Sequence, residues 1–346
     1  MGHALRKAVG VLARQQGREL VAVAAEAGAT LVAGSSLKVA LDRNWDDPQE
    51  RLAALAEVLR ALDQVEAWCA RQPDGAAAAP ALAVAQTVRA HDVVPQADGS
   101  PALRRGVAPE RRISVEDAAL RHGRKSRSVR VDGYKRHAAS DLDVGLVRAV
   151  GITPANRPEA EVADAIVADL AHQGQTVQEW HIDRGYLSRS LVHGRAADVT
   201  IFCKAWAVRN GERFTKLAFS LDWEAGAATS PNAQTAPFAA GQTIHLPAEA
   251  CAVCPLRAAC TSSASGRSVA IHADEQFLTE LRQRQGTPAG RAQLRERVQV
   301  EHDLAHLGHW QGDRARYLGE RMNRFDLRRV AVIHNLHLLQ RTPLAA

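Results

Sequence analysis

At Ser126 the apolar period of this chain changes, and that change constrains the fold more than any other feature. Upstream the spacing is helical. Leu5, Val9 and Leu12 mark a helix over residues 4–32. Leu52, Leu55, Leu59, Leu62 and Val65 form one stripe over residues 48–70, with Pro48 in the first turn and Trp68 and Cys69 closing it. Two such helices can pair and bury each other's stripes. Downstream, residues 128–131 alternate, 134–140 continue extended, and 145–153 form a second extended run, the pattern of a hairpin. Residues 159–172 set Val162, Ile166 and Leu170 at i, i+4 and i+8. A strand ends at Asp183, a helix-like segment follows over 187–195, and residues 198–203 alternate again. Strand, strand, helix, strand, helix, strand predicts an α/β fold, with a hairpin feeding a mixed, partly parallel sheet flanked by helices.

Residues 1–105 are expected to be a helical region and linker. Residues 74–79 are rich in Gly and Ala, and Gly99, Pro101 and Pro109 place turn signals over 96–109, where a flexible boundary is expected. Residues 204–273 are rich in turn residues and hold three of the five cysteines. A long helix is predicted over 288–309, then a basic segment and a last helix over 327–339. The 346 residues suit two domains, or one large domain with an insertion. Aromatics are only 4%, so the core is expected to be helix-rich and built of small residues.

The net charge of +6 is unevenly spread. Residues 104–136 hold eleven basic and four acidic residues, a local excess of +7, so the remainder sums to −1. This block is either a solvated linker or a phosphate-contacting surface leading into the first strand. It favours an anionic partner over an acidic substrate pocket. There is no secretory apolar region and no run long enough to cross a bilayer, so no membrane partner is expected. An odd cysteine count with three clustered argues for the reducing cytoplasm and a metal, not a disulfide framework.

Three acids stand out. Asp141 ends the first extended segment, with Asp143 as its rival on the same strand face. Asp183 ends a later strand before a glycine turn. There it either caps the next segment or presents a carboxylate at the sheet rim. Glu301 borders the apolar side of the long helix marked by Leu294, Val298 and Ala305. Three carboxylates from two strand ends and a helix can converge on Mg²⁺ or Mn²⁺, hard cations that keep several waters. Two such ions roughly 4 Å apart activate a water or 3′-hydroxyl and stabilise the leaving oxygen of a phosphodiester.

The motifs around these acids are specific: Gly133-Tyr134-Lys135-Arg136-His137 followed by Asp141, Thr153-Pro154-Ala155-Asn156, Asp183-Arg184-Gly185-Tyr186, Arg297 with Glu301-His302, Arg316-Tyr317-Leu318-Gly319, and Asn335. On these, residues 110–340 resemble the bacterial insertion-sequence transposases with a DDE catalytic core on an RNase H-like fold. The resemblance implies that Asp141, Asp183 and Glu301 are the metal-binding triad, at intervals of 42 and 118 residues. It implies a first part of the core over 106–203, an inserted Cys-containing domain over 204–288, and C-terminal core helices carrying the Glu over 289–346. It implies phosphodiester hydrolysis and strand transfer at element ends. The implied partner is double-stranded DNA, both terminal repeats and target, bridged by a homo-oligomer near the nucleoid of a bacterial cytoplasm. Arg124, Lys125, Lys135, Arg297, Arg316 and Tyr317 are the expected DNA contacts. The motif alignment prefers Asp141 over Asp143. Two positions depart from the related pattern: Leu294 stands where a Tyr precedes the Arg-x-x-x-Glu pair, and Gly308 where a Lys follows it. Related transposases carry a further N-terminal helical DNA-binding region, so the chain is expected to be N-terminally truncated. A truncated, inactive form that only binds DNA is the alternative reading.

Cys251-x₂-Cys254-x₅-Cys260 predicts either a structural zinc knuckle or packed thiols. Similar transposases supply a further ligand from a Cys-Pro segment. The matching stretch here is Ser230-Pro231-Asn232, leaving Cys203 or a His such as His245 as substitutes. His302, His306 and His309 lack the metalloprotease pattern and are read as surface or phosphate-facing groups. The run Arg314-Ala315-Arg316-Tyr317 is either a solvated turn or a phosphate-contacting and base-stacking segment.

Overall fold

A computed structural model of the chain describes residues 1–124 and 128–341. In chain order its elements begin with helices α1 (Gly2–Gln15), α2 (Leu20–Glu26), α3 (Leu37–Leu41), α4 (Pro48–Ala70) and α5 (Ala79–Asp92). Strands β1 (Val93–Pro95), β2 (Pro101–Leu103), β3 (Arg121–Arg124), β4 (Arg130–Ser140) and β5 (Val147–Pro154) follow. Next come α6 (Ala163–His172), β6 (Glu179–His181), α7 (Arg189–Gly194) and β7 (Thr200–Phe202). The cysteine-bearing stretch holds β8 (Ser220–Asp222), β9 (Ala227–Thr229), β10 (Thr235–Pro237), β11 (Thr243–His245), α8 (Ala248–Ala252), α9 (Arg257–Cys260) and β12 (Ser268–Ala270). The chain closes with α10 (Glu275–Gly286), α11 (Pro288–Glu296), α12 (Val298–Gln311) and α13 (Gly319–Arg341). These form two compact units: residues 1–138, 150–157 and 306–346 in the first, and 139–149 and 158–305 in the second. No helix among the described residues is long and apolar enough to cross a membrane.

The first unit is built on small apolar side chains, as the composition predicts. Leu5, Val9 and Leu12 of α1 pack with Val23, with Leu62, Val65 and Trp68 of α4, and with Val84 and Ala85 of α5. The single helix expected over 4–32 is two helices. Gly17, at φ +61°, reverses the chain, its N–H donating to the Arg14 carbonyl while Arg18 donates to that of Ala13. That paired return satisfies carbonyls a helix end leaves open, and glycine adopts the left-handed conformation without a Cβ penalty. Leu52 is exposed, so the buried stripe of α4 starts at Ala54 and Val58. Helix α5 escapes the periodicity argument because its inward face is Ala81, Val84 and Ala85, too small to stand out. At the stretch 96–109, β1 and β2 pair antiparallel, Val94 opposite Ala102.

The second unit holds the hairpin tip and the parallel strands. Val162, Ile166 and Leu170 pack with Ala149, and Ala139, Trp180 and Tyr186 border them. Strands β6 and β7 pair in parallel, Trp180 opposite Ile201. The cysteine-bearing stretch has its own apolar cluster of Phe219, Ala228, Ile244, Leu246, Val269 and Ile271. Buried Glu275 accepts from Lys216 and Arg282 there, at 2.5 and 2.8 Å. The long helix expected over 288–309 is broken at Arg297 between α11 and α12. The molecule is mixed α/β, in keeping with an RNase H-like fold. Its strands lie in several small sheets, among them β3-β4-β5 and β6-β7, where one mixed sheet was expected.

Candidate active site

Asp141 follows β4 at the tip of the β4–β5 hairpin. Its N–H donates to the Leu146 carbonyl at 2.8 Å, and its carbonyl accepts from Gly145 at 2.7 Å. Gly145 sits at φ +72°, which the tight turn requires. The carboxylate Oδ2 accepts from Arg148 Nη2 at 2.8 Å and Nε at 3.2 Å, and Oδ1 accepts the Asp143 N–H at 3.1 Å. Burial pushes this carboxyl up, but the guanidinium and the backbone donors outweigh it and hold it below the usual carboxylate range. Asp143 thus supports Asp141 through its main chain.

Asp183 follows β6 and caps the short turn Arg184–Tyr186, Oδ1 accepting the Arg184 N–H at 3.0 Å. The capping reading of this residue is therefore correct locally. Helix α7 has its own cap, Ser188, whose Oγ accepts from Leu191 at 3.1 Å. Capping uses one oxygen of Asp183. The other, Oδ2, lies 3.9 Å from Arg297 Nη1, and that same nitrogen is 3.0 Å from Glu301 Oε1. Arg297 sits at the α11–α12 break, one helical turn before Glu301, a spacing that puts both on one face. The two acid side chains are 54% and 58% exposed, so nothing in the core requires their convergence. A Cβ on Gly185 would lie 2.2 Å from the Glu159 carboxylate, so a larger residue there requires that side chain to move. Burial, and then Glu159 and Asp183, push the Tyr186 phenol well up.

One cationic nitrogen shared by two exposed carboxylates is a setting a hard cation can take over, because Mg²⁺ and Mn²⁺ prefer oxygen ligands and need few from protein. Asp183 and Glu301 fit such an ion. Asp141 is engaged by Arg148, and among the described residues no three His, Cys, Asp or Glu side chains are gathered into a metal-binding group. The cysteine cluster likewise gives zinc no support. Cys251, Cys254 and Cys260 line one small cavity with Ser230 and Asn232. Neither substitute ligand reaches it. Cys203 packs with Leu191, Ile201 and Leu281, where burial lifts its thiol to about 11, and His245 is not among the lining residues.

The expected DNA contacts lie on different elements. Arg124 is exposed at the end of β3, and Lys125 lies outside the described residues. Lys135 Nζ donates to the Arg157 carbonyl at 2.8 Å. Arg316 Nη2 donates to the Trp310 carbonyl at 3.1 Å, and Tyr317 is exposed beside it. Arg297 faces the acids. Two residues gave no sequence signal of their own: Arg148, legible only once the hairpin register is known, and Glu159 beside Gly185.

The fold and the site define an α/β protein that gathers a strand-end aspartate and a helix glutamate around one cationic group. Two family models, both described as Transposase DDE domain, match residues 86–199 and 232–340. The first span contains Asp141 and Asp183 and the second contains Glu301. No curated protein sequence and no solved structure matches the chain. The chain belongs to the DDE-type transposases.

Proposed function

We propose that this transposase carries out metal-dependent phosphodiester hydrolysis and strand transfer at the ends of a bacterial insertion sequence, with Asp141, Asp183 and Glu301 as metal ligands. The observation that carries the reading is the single guanidinium nitrogen shared by Asp183 and Glu301. Two acids 118 residues apart in sequence meet around positive charge at an exposed position, inside a chain of this family.

Bound Mg²⁺ or Mn²⁺ would supply activation of the attacking water or 3′-hydroxyl and charge stabilisation at the leaving oxygen. The chain's own residues do the rest. Arg297 keeps Asp183 and Glu301 together and limits their repulsion. Arg148 and the Asp143 N–H hold the Asp141 carboxylate ionised and oriented. Arg124, Lys135, Arg316 and Tyr317 contact the DNA backbone, fixing position without reading sequence. The reaction takes place in the cytoplasm, on two DNA ends bridged by a homo-oligomer.

The test is cleavage of a duplex carrying the element's terminal repeat, with Mg²⁺ and the purified chain. Cutting that disappears in Asp183→Asn and Glu301→Gln supports the reading. Cutting that survives both substitutions, or wild-type protein that binds the duplex without cutting it, overturns it.

A further inference from the structure

The first unit carries an exposed basic strip that continues from Arg316 and Tyr317 onto helix α13, where the proposed function assigns no contact. Helix α13 turns Leu327, Val330, Ala331 and His334 inward. On its outer side Arg321, Arg324 and Arg328 stand at i, i+3 and i+7, one face of a helix, and all are exposed. Arg314, Arg316 and Tyr317, just before the helix, are exposed as well.

The connecting loop is pinned to the helix start. Asn323, 2% exposed, donates its Nδ2 to the carbonyls of Tyr317 at 2.7 Å and Gly319 at 2.8 Å. The Gly319 N–H donates at 2.9 Å to the buried carboxylate of Asp117. These bonds hold the loop arginines next to those of the helix. Among the described residues no carboxylate pairs with Arg314, Arg321 or Arg324. Of the two acids that α13 contributes between Arg314 and Arg328, Glu320 is exposed in its first turn and Asp326 is buried and bonded to Arg329 at 2.7 Å. From Val332 onward the same side turns apolar with Leu336 and Leu339, which bounds the strip.

We propose that this strip, Arg314 to Arg328, docks the backbone of duplex DNA. The inference rests on DNA being the substrate and adds a surface outside the candidate active site. Arg321 to Arg328 spans about 10 Å at 1.5 Å per residue, a length over which a duplex presents about six charges. Guanidinium groups suit phosphate because their planar fork matches its oxygens.

The experiment is binding of a fluorescent 30-base-pair duplex across a KCl series, in EDTA, with circular dichroism to confirm folding. Each lost phosphate contact reduces the slope of log K against log salt by about 0.9, so Arg321→Ala with Arg324→Ala is expected to flatten it by about 1.8. Arg321→Lys with Arg324→Lys is expected to keep the wild-type slope, as is the control Arg60→Ala on α4. A wild-type slope in the double alanine variant would overturn the strip while leaving DNA binding intact. Failure of the wild-type chain to bind any duplex would sink the DNA reading itself. Tighter, equally arginine-dependent binding of an RNA hairpin would overturn the choice of partner.

Discussion

Arg297 Nη1 lies 3.0 Å from Glu301 Oε1, within a turn of one helix, and the same nitrogen reaches across to Asp183. On the proposed function, a divalent ion would compete with this built-in cation for the two carboxylates. Exposed ion pairs contribute about 0.2–1 kcal/mol each, so removing the guanidinium releases ligands at modest cost. Arg297→Gln is expected to raise Mn²⁺ affinity about fivefold in the absence of DNA, read by electron paramagnetic resonance. Unchanged or weaker Mn²⁺ binding would mean that the arginine and the metal do not share these ligands.

Asp141→Asn is expected to lower Mg²⁺-dependent cleavage by more than about a hundredfold, beyond the effect typical of losing an outer-shell metal partner. Arg148→Gln leaves the carboxylate in place but frees it to rotate, so its loss is expected to be smaller, within about tenfold to a hundredfold. The two rates measured side by side decide the order. An Arg148→Gln variant less active than Asp141→Asn would reverse the assigned roles.

Asp117 ties β4 to the start of α13. It is 3% exposed and accepts from Tyr134 Oη at 2.6 Å and from the Gly319 N–H at 2.9 Å. Burial raises its carboxyl, and these donors bring it back below the usual range. Asp117→Ala leaves buried donors without an acceptor and is expected to cost about 2–4 kcal/mol. Tyr134→Phe is expected to cost about 1–2 kcal/mol. Urea midpoints give both values, and a neutral Asp117→Ala would show the site to be solvated.

His137, 1% exposed, pairs through Nε2 with Thr153 Oγ1 at 2.8 Å. Burial, with Lys135 nearby, lowers its pKa to about 4. The folded chain therefore holds the ring neutral, while the unfolded chain takes up a proton near pH 6.5. Stability from this group is complete above that value and declines as pH falls from about 6.5 to about 4, by up to about 3 kcal/mol. Melting temperatures of wild type and His137→Gln across that window test the sign. The wild-type curve is expected to fall more steeply, and parallel curves would exclude His137 as the source.

Much of the secondary structure was readable because side-chain period reports burial along one element. The Val162-Ile166-Leu170 face is buried as expected, Leu59, Leu62 and Val65 of the α4 stripe are buried while Leu52 is exposed, and strands β4 and β5 form where extended runs were expected, though β5 is buried along nearly its whole length and does not alternate. Side-chain period is silent where burial involves alanine, as in α5, and where a single glycine reverses the chain, as at Gly17. For the cysteines, spacing alone left a zinc knuckle and packed thiols as alternatives, and zinc gains no support from the fold. Cysteine spacing sets only local geometry, and the fourth partner has to come from elsewhere in the fold.

The sequence by itself determined the α/β class and the family and singled out the three acids now proposed as ligands, because motifs and periods are local properties of the chain. Only the tertiary structure decided that Asp183 and Glu301 share one guanidinium while Asp141 is taken by Arg148. Contact between residues 118 positions apart depends on how helices and strands pack, and a side chain's partner follows from that packing, not from its neighbours in sequence.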